Sequence, residues 1–220
     1  ALNIILNRLR RWQELLRARR DKIFSKNEVI GLVGELLFLK EVVLQYIDPL
    51  TATLSWRGPH GDEQDFLLKE WLIEIKTQSA SADKNIRITS EHQLDTNSGN
   101  IMLCYQTLQS GFSENEDAYT LNELVKNLLT ESEEYSISAR DTLQSLLIES
   151  GYMQRKEYDE ERWKLNARSF YKIDEAFPRI TPKLLPKGIS QTRYVLDIEA
   201  CSSHVLSQET AMEQIFNVSI

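Results

Sequence analysis

Gly61–Gln78 reads GDEQDFLLKEWLIEIKTQ, and its second half alternates as a β-strand does. Side chains of a strand point to opposite faces in turn, so Trp71, Ile73, Ile75 and Thr77 share one face and Leu72, Glu74, Lys76 and Gln78 the other. Gln64–Leu68 reads as a partner strand, with Lys69-Glu70 as a tight turn between the two. The hairpin carries Asp65 toward Glu74. Two carboxylates converging beside a lysine suit a hard divalent cation, because Mg²⁺ prefers oxygen ligands and keeps several waters. A plainer reading is an exposed hairpin face with a cross-strand ion pair, an interaction typically contributing under about 1 kcal/mol. Asp62 and Glu63 lie close enough in sequence to stand in for Asp65; the strand parity and the Asp-Phe pair favour Asp65.

The arrangement resembles the PD-(D/E)xK nuclease superfamily. Asp65 stands at the first acid of that pattern and Glu74-Ile75-Lys76 at its E-x-K, while Gln64 replaces the proline. Further similarity, to the bacterial PD-(D/E)XK motif proteins, rests on Gly31–Leu39 (GLVGELLFL), Trp56-Arg57-Gly58-Pro59, Asp65-Phe66, Ile73–Thr77, Ile88–Leu94, Phe177–Ile180 and Tyr194–Cys201. The resemblance implies an α/β fold with a restriction-endonuclease-like αβββαβ core, its mixed central sheet flanked by helices, plus an N-terminal helix and C-terminal helical and β additions. It also implies a metal-dependent endodeoxyribonuclease, the cleavage subunit of a bacterial restriction or anti-phage defence system. Asp65, Glu74 and the backbone carbonyl of Ile75 would ligate Mg²⁺ or Mn²⁺. Lys76 would orient the attacking water or stabilise the transition state, Glu35 would hold a metal-bound water or a second ion, and Gln78 and Gln93 would reach a phosphate or the nucleophile. DNA is the implied partner, with a homodimer and an ATPase or methyltransferase of the same system as further expectations. A non-catalytic DNA-binding or assembly subunit that retains the nuclease fold is the alternative, and branched or RNA-containing substrates remain open.

Glu35 carries an argument of its own. Gly31, Leu32, Phe38 and Leu39 surround it one helical turn away, so it lies on an apolar surface, where a carboxylate needs a hydrogen bond, a basic group or a metal. A rim glutamate reaching to water is the competing reading. Gly31 and Gly34 would let this helix pack closely on the sheet.

At 220 residues, 41% hydrophobic and 27% charged, the chain has the composition of an ordinary globular protein and the length for one sizeable core, or for one domain with an insertion. No apolar run is long enough to span a bilayer, and the start does not read as a signal peptide. Cys104 and Cys201 sit in apolar strand-like surroundings without metal-type spacing, which points to buried free thiols in a reducing cytoplasm. The three histidines, at 60, 92 and 204, are too scattered for a zinc site. Glycine-rich phosphate loops and nucleophile elbows are absent from the sequence. The chain opens at Ala1 directly into an amphipathic helix, which suggests that it is part of a longer protein.

Net charge is −7, yet residues 1–27 carry eight basic against two acidic side chains. Phosphate contacts follow local potential rather than total charge, so Arg17, Arg19, Arg20 and Lys22 are candidate DNA contacts. A solvated basic helix face explains the same pattern.

The order of elements is expected to be as follows. A basic helix spans Leu2–Asp21 within a first segment, 1–27. The nuclease core, 28–115, comprises a helix from about Asn27 to Tyr46, strands at Thr51–Trp56, Gln64–Leu68, Trp71–Gln78 and Ile86–Thr89, a short helix at Ser90–Leu94, and a central strand at Ile101–Leu108. An acidic helical insertion, 116–168, holds helices at Tyr119–Leu129 and Ala139–Gly151 joined by a Glu131–Glu134 linker. A C-terminal segment, 169–220, adds strands at Ser169–Ile173 and Tyr194–Ala200 and a helix at Gln208–Phe216.

Overall fold

A computed structural model describes residues 22–113 and 117–218 of the chain. The helix expected at Leu2–Asp21, with Arg17, Arg19 and Arg20, lies outside the described residues.

Helix α1 (Lys26–Glu41) starts at a capping box: the Ser25 side chain accepts from Glu28 N–H and the Glu28 carboxylate reaches back to Ser25 N–H. It gives way to a short 3₁₀ turn at Val43–Gln45. The stretch expected as the first strand is instead a helix, α2 (Pro49–Ser55). Asp48 accepts from the amides of Leu50 and Thr51, and Pro49, with its preset φ, occupies the first turn. The Asp-Pro pair thus starts a helix here as well as following one. The β-branched threonines lose to this cap and to the burial of Ala52 and Trp56 against the core.

Strand β1 (Phe66–Leu68) and strand β2 (Trp71–Ser79) form the expected hairpin, with Lys69 at φ 55° in its turn. β4 (Asn100–Ser110) lies parallel to β2, β5 (Trp163–Ile173) runs antiparallel to β4, and the two-residue β7 (Val205–Leu206) closes the far edge. The mixed sheet therefore has the order β1-β2-β4-β5-β7. β3 (Asn85–Ile88) leaves this sheet and pairs with β6 (Tyr194–Asp197) as a separate two-stranded ribbon. The expected helix at Ser90–Leu94 is a hydrogen-bonded turn, with the Ser90 hydroxyl accepting from His92 N–H. Among the described residues the order is α1–α2–β1–β2–β3–turn–β4, with a short 3₁₀ helix at Thr96–Ser98 just before β4 and no strand in the place expected for the first one.

Helix α3 (Leu121–Tyr135) runs straight through the acidic run read as a linker, and helix α4 (Ile137–Glu149) follows after one residue. That residue, Ser136, ends one helix and caps the next by accepting from Ala139 N–H. β5 is longer than its sequence signal, because pairing with β4 carries it outward to Trp163, across residue 168. After β6 the chain turns into a 3₁₀ helix at Ile198–His204, where continued strand was expected, and α5 (Gln208–Phe216) ends the described fold.

The sheet has two covered faces. Ile73, Ile75, Met102, Cys104 and Phe170 pack under α1 and the helices that follow, whereas Ile101, Leu103, Tyr171 and Ile173 pack under the β3–β6 ribbon. The period-2 pattern of β2 feeds both layers at once. At Gly34 helix and sheet touch: a β-carbon there would lie 1.9 Å from Thr77 Oγ1. At Gly31 it would meet nothing within 4 Å, so only Gly34 serves close packing. Both cysteines are buried and free. No helix among the described residues is long and apolar enough to cross a membrane.

Candidate functional site

The β1–β2 register pairs Phe66 with Ile73, and one step outward sets Asp65 opposite Glu74. The ladder ends there. Asp65 N–H still donates to Ile73 O, but the Asp65 carboxylate itself accepts the Ile75 N–H at 2.7 Å. A residue's N–H and C=O point to the same edge of a strand, so the Ile75 carbonyl projects on the Asp65 side. The Asp65 carbonyl accepts from Arg57 and Gly58 N–H, which brings that loop over the strand end.

Glu35 arrives from α1. Its Oε2 accepts the indole N–H of fully buried Trp56 at 2.7 Å. Gly58 lies between the two acids: a β-carbon on it would stand 3.1 Å from Glu35 Oε2 and 3.2 Å from Asp65 Oδ1. Both carboxylates open on a cleft of about 490 Å³ walled by the segment from Lys22 to Gly31, by Gly58–Gly61 and by the end of α4. Lys22 sits on its wall, paired with Glu28.

Glu74 and Lys76 belong to the ribbon-covered face. Glu74 is 2% exposed, its Oε1 is 2.6 Å from Lys76 Nζ and it accepts from Gln93 Nε2 at 3.1 Å. Glu74 Oε2 is buried with no hydrogen-bond partner among the described residues. Gln93 is held in turn: its Oε1 accepts from Thr89 N–H at 2.9 Å and faces Lys76 Nζ at 3.5 Å.

Burial dominates the electrostatics. It pushes Glu74 up to about 8, against the opposing charge of Lys76 and with a further upward push from Asp65. Asp65 rises to about 6 through burial, opposed by the Ile75 N–H and Lys76. Glu35 stands well above the ordinary carboxylate range because of burial and then the charge of Asp65, with Trp56 pulling the other way. Burial works to lower Lys76, but Glu74, Asp65 and Glu35 outweigh it and hold the ammonium above its ordinary value. Four residues from one helix and one hairpin thus form a single electrostatic group.

Among the described residues, no three His, Cys, Asp or Glu side chains converge closely enough as they stand to hold a metal ion. The donor set nevertheless fits a hard divalent cation: three carboxylates in mutual repulsion, an orphaned buried oxygen on Glu74, and the Ile75 carbonyl on the same edge.

Gln78 shares the parity of Lys76, but its amide donates to Asp83 O at 2.8 Å and to the Tyr105 hydroxyl at 2.6 Å, which ties it to the far end of the strand. Four residues gained their parts only in the structure. Trp56 and Gly58 belong to a run whose resemblance was noted without a role. Gln64, in the place of the proline, is buried and donates to the carbonyls of His92 and Gln93, fastening the turn that carries Gln93. Glu91 accepts from Gln191 and Thr192 N–H at 3.0 and 2.7 Å, and nothing in its local sequence marks it.

The family described as "Putative PD-(D/E)XK family member (DUF4420)" matches residues 1–199. No curated protein and no solved structure matches the chain. The family match spans nearly the whole of the sheet that carries Glu74 and Lys76, and the chain belongs to this PD-(D/E)XK family.

Proposed function

We propose that the protein is a metal-dependent endonuclease that hydrolyses DNA phosphodiester bonds. The supporting observation is the single electrostatic group of Asp65, Glu74, Lys76 and Glu35, with the orphaned Glu74 Oε2 inside it. Asp65, Glu74 and the Ile75 carbonyl would hold Mg²⁺ or Mn²⁺, with Glu35 as an outer acid. The cation, when bound, supplies Lewis-acid neutralisation of charge on the scissile phosphate. Lys76 acts as a point charge that orients the attacking water and offsets negative charge in the transition state. Gln93 fixes Glu74 and Lys76 relative to each other, which limits the reorganisation needed during reaction. Water adds to phosphorus, one P–O ester bond breaks, and the products are a phosphate monoester and an alcohol. The cleavage subunit of a bacterial restriction or anti-phage system, working with an ATPase or methyltransferase partner, is the setting that the resemblance supports.

A second reading, a non-catalytic DNA-binding subunit, draws on the closed Glu74–Lys76 pair and the lack of three converging ligands among the described residues. Supercoiled-plasmid cleavage with Mg²⁺ or Mn²⁺, beside Lys76→Ala, separates the two. Metal-dependent nicking or linearisation lost in the variant supports the nuclease. Full cleavage by Lys76→Ala overturns this site, and calorimetry showing no Mn²⁺ binding supports the second reading.

A further inference from the structure

The stretch from Pro178 to Arg193, PRITPKLLPKGISQTR, contains Arg179, Lys183, Lys187 and Arg193 and not one acidic residue, in a chain whose net charge is −7. None of these four cations forms an ion pair among the described residues, whereas Lys26, Lys40, Lys84 and Arg162 each hold a carboxylate. Lys183, Lys187 and Arg193 are exposed. On the adjoining ribbon Arg87 is exposed opposite Val195, two residues after Arg193, with exposed Asp197 two residues further along.

The loop is fastened to the candidate site. Arg179 donates to Leu94 O at 2.7 Å and to Thr96 Oγ1 at 3.1 Å. From the other side, the Glu91 carboxylate accepts the Gln191 and Thr192 amides. Both anchors lie on the turn whose Gln93 touches Glu74. Tyr194, next in sequence, closes the loop on itself, its hydroxyl accepting from Ile180 N–H at 3.2 Å.

Cations without ion pairs, on a loop whose own sequence carries no acid, form a local positive potential, and a polyanionic backbone gains affinity there by releasing counterions. We propose that the loop 178–193, together with Arg87, is the surface that holds the phosphodiester backbone of a nucleic acid beside the Glu74–Lys76 site. The assignment rests on the nuclease reading above and gives that site its substrate-holding surface. It moves the main backbone contact from the N-terminal arginines to a loop bonded to the site itself.

The test is equilibrium binding of fluorescent duplex DNA, single-stranded DNA and duplex RNA to the Lys183→Gln/Lys187→Gln/Arg193→Gln protein across a salt series, without divalent metal. All three positions are exposed, so the thermal midpoint should match that of the parent. Affinity for at least one nucleic acid should fall by about tenfold or more, and the slope of log affinity against log salt should shrink by about 0.7–0.9 per lost contact. The Lys183→Arg/Lys187→Arg protein should bind as the parent does. Preference among the three probes names the backbone recognised. Unchanged affinity and slope in the triple variant overturns the proposal, as does a parent protein that binds poly-glutamate and no nucleic acid. Plasmid cleavage is scored separately. Lost binding in a protein whose parent never cleaves keeps the surface and removes the nuclease, whereas Lys76-dependent cleavage with unchanged binding in the triple variant does the reverse.

Discussion

Glu74 and Lys76 are paired at 2.6 Å within the sheet face that carries them, and the pair satisfies only one of the two glutamate oxygens. The other oxygen is buried without a donor, a state that costs a protein about 1–3 kcal/mol unless something else occupies the position. The stability consequences of this arrangement can be measured without any assay of activity.

The metal-free protein should lose stability as pH rises through the neutral range. Glu74 and Asp65 carry folded pKa values of about 8 and about 6, raised from ordinary values of 4.5 and 3.8. Between the unfolded and folded values the native state binds more protons than the unfolded state, so unfolding free energy falls with pH. The limiting slope is about 1.4 kcal/mol per pH unit for each proton involved. Denaturant midpoints measured from pH 4 to 9 should decline from about pH 4 and level off above about 8, and Glu74→Gln should flatten that decline. A wild-type midpoint rising over this interval would contradict the burial of these acids.

Gly34→Ala should be among the costliest single changes outside the site. The added carbon would fall 1.9 Å from Thr77 Oγ1 and 2.6 Å from its Cβ, so helix and sheet must separate. Overpacking of this kind costs about 1–3 kcal/mol, sometimes more. Chemical denaturation gives the figure, and Thr77→Ala in the same chain should recover part of it. Gly31→Ala, facing open space, should cost little by comparison.

Trp56→Phe keeps an aromatic ring, smaller than the indole, at the buried position and removes the donor to Glu35 Oε2. Loss of that hydrogen bond should cost about 1–3 kcal/mol, and less in a Glu35→Leu background, where no carboxylate needs the donor. A double-mutant cycle by thermal or denaturant unfolding measures the coupling; additivity of the two changes would mean that the contact contributes nothing.

Gln64→Ala should loosen the turn at 90–94, because Gln64 donates to the carbonyls of both His92 and Gln93. Amide exchange at Gln93 should quicken. If the site cleaves nucleic acid, kcat should drop more than KM rises, since the turn positions Gln93 on Glu74 rather than holding substrate.

Much of this arrangement was legible in the residues themselves. The alternation of Trp71–Gln78 and the turn at Lys69-Glu70 specify a hairpin through local rules, and the Ser25 and Glu28 capping box specifies where α1 begins. A strand with glutamate and lysine at matching parity must place them together whatever surrounds it. What local rules could not reach was decided by partners distant in the chain. Thr51–Trp56 has strand-like residues, yet the Asp48 cap makes Pro49–Ser55 a helix and leaves only Trp56 extended, in an isolated antiparallel bridge to Phe66. β3 alternates as well as any strand of the sheet, but its register is with β6, more than a hundred residues later, and hydrogen bonding with so distant a segment leaves no local mark. Sequence alone determined that a carboxylate, an ammonium and a second carboxylate share one hairpin. Only the tertiary structure brought in Glu35 from α1, Gln93 from its turn and the basic loop behind it, because these meet through side-chain hydrogen bonds and burial, which depend on separation in space and not along the chain.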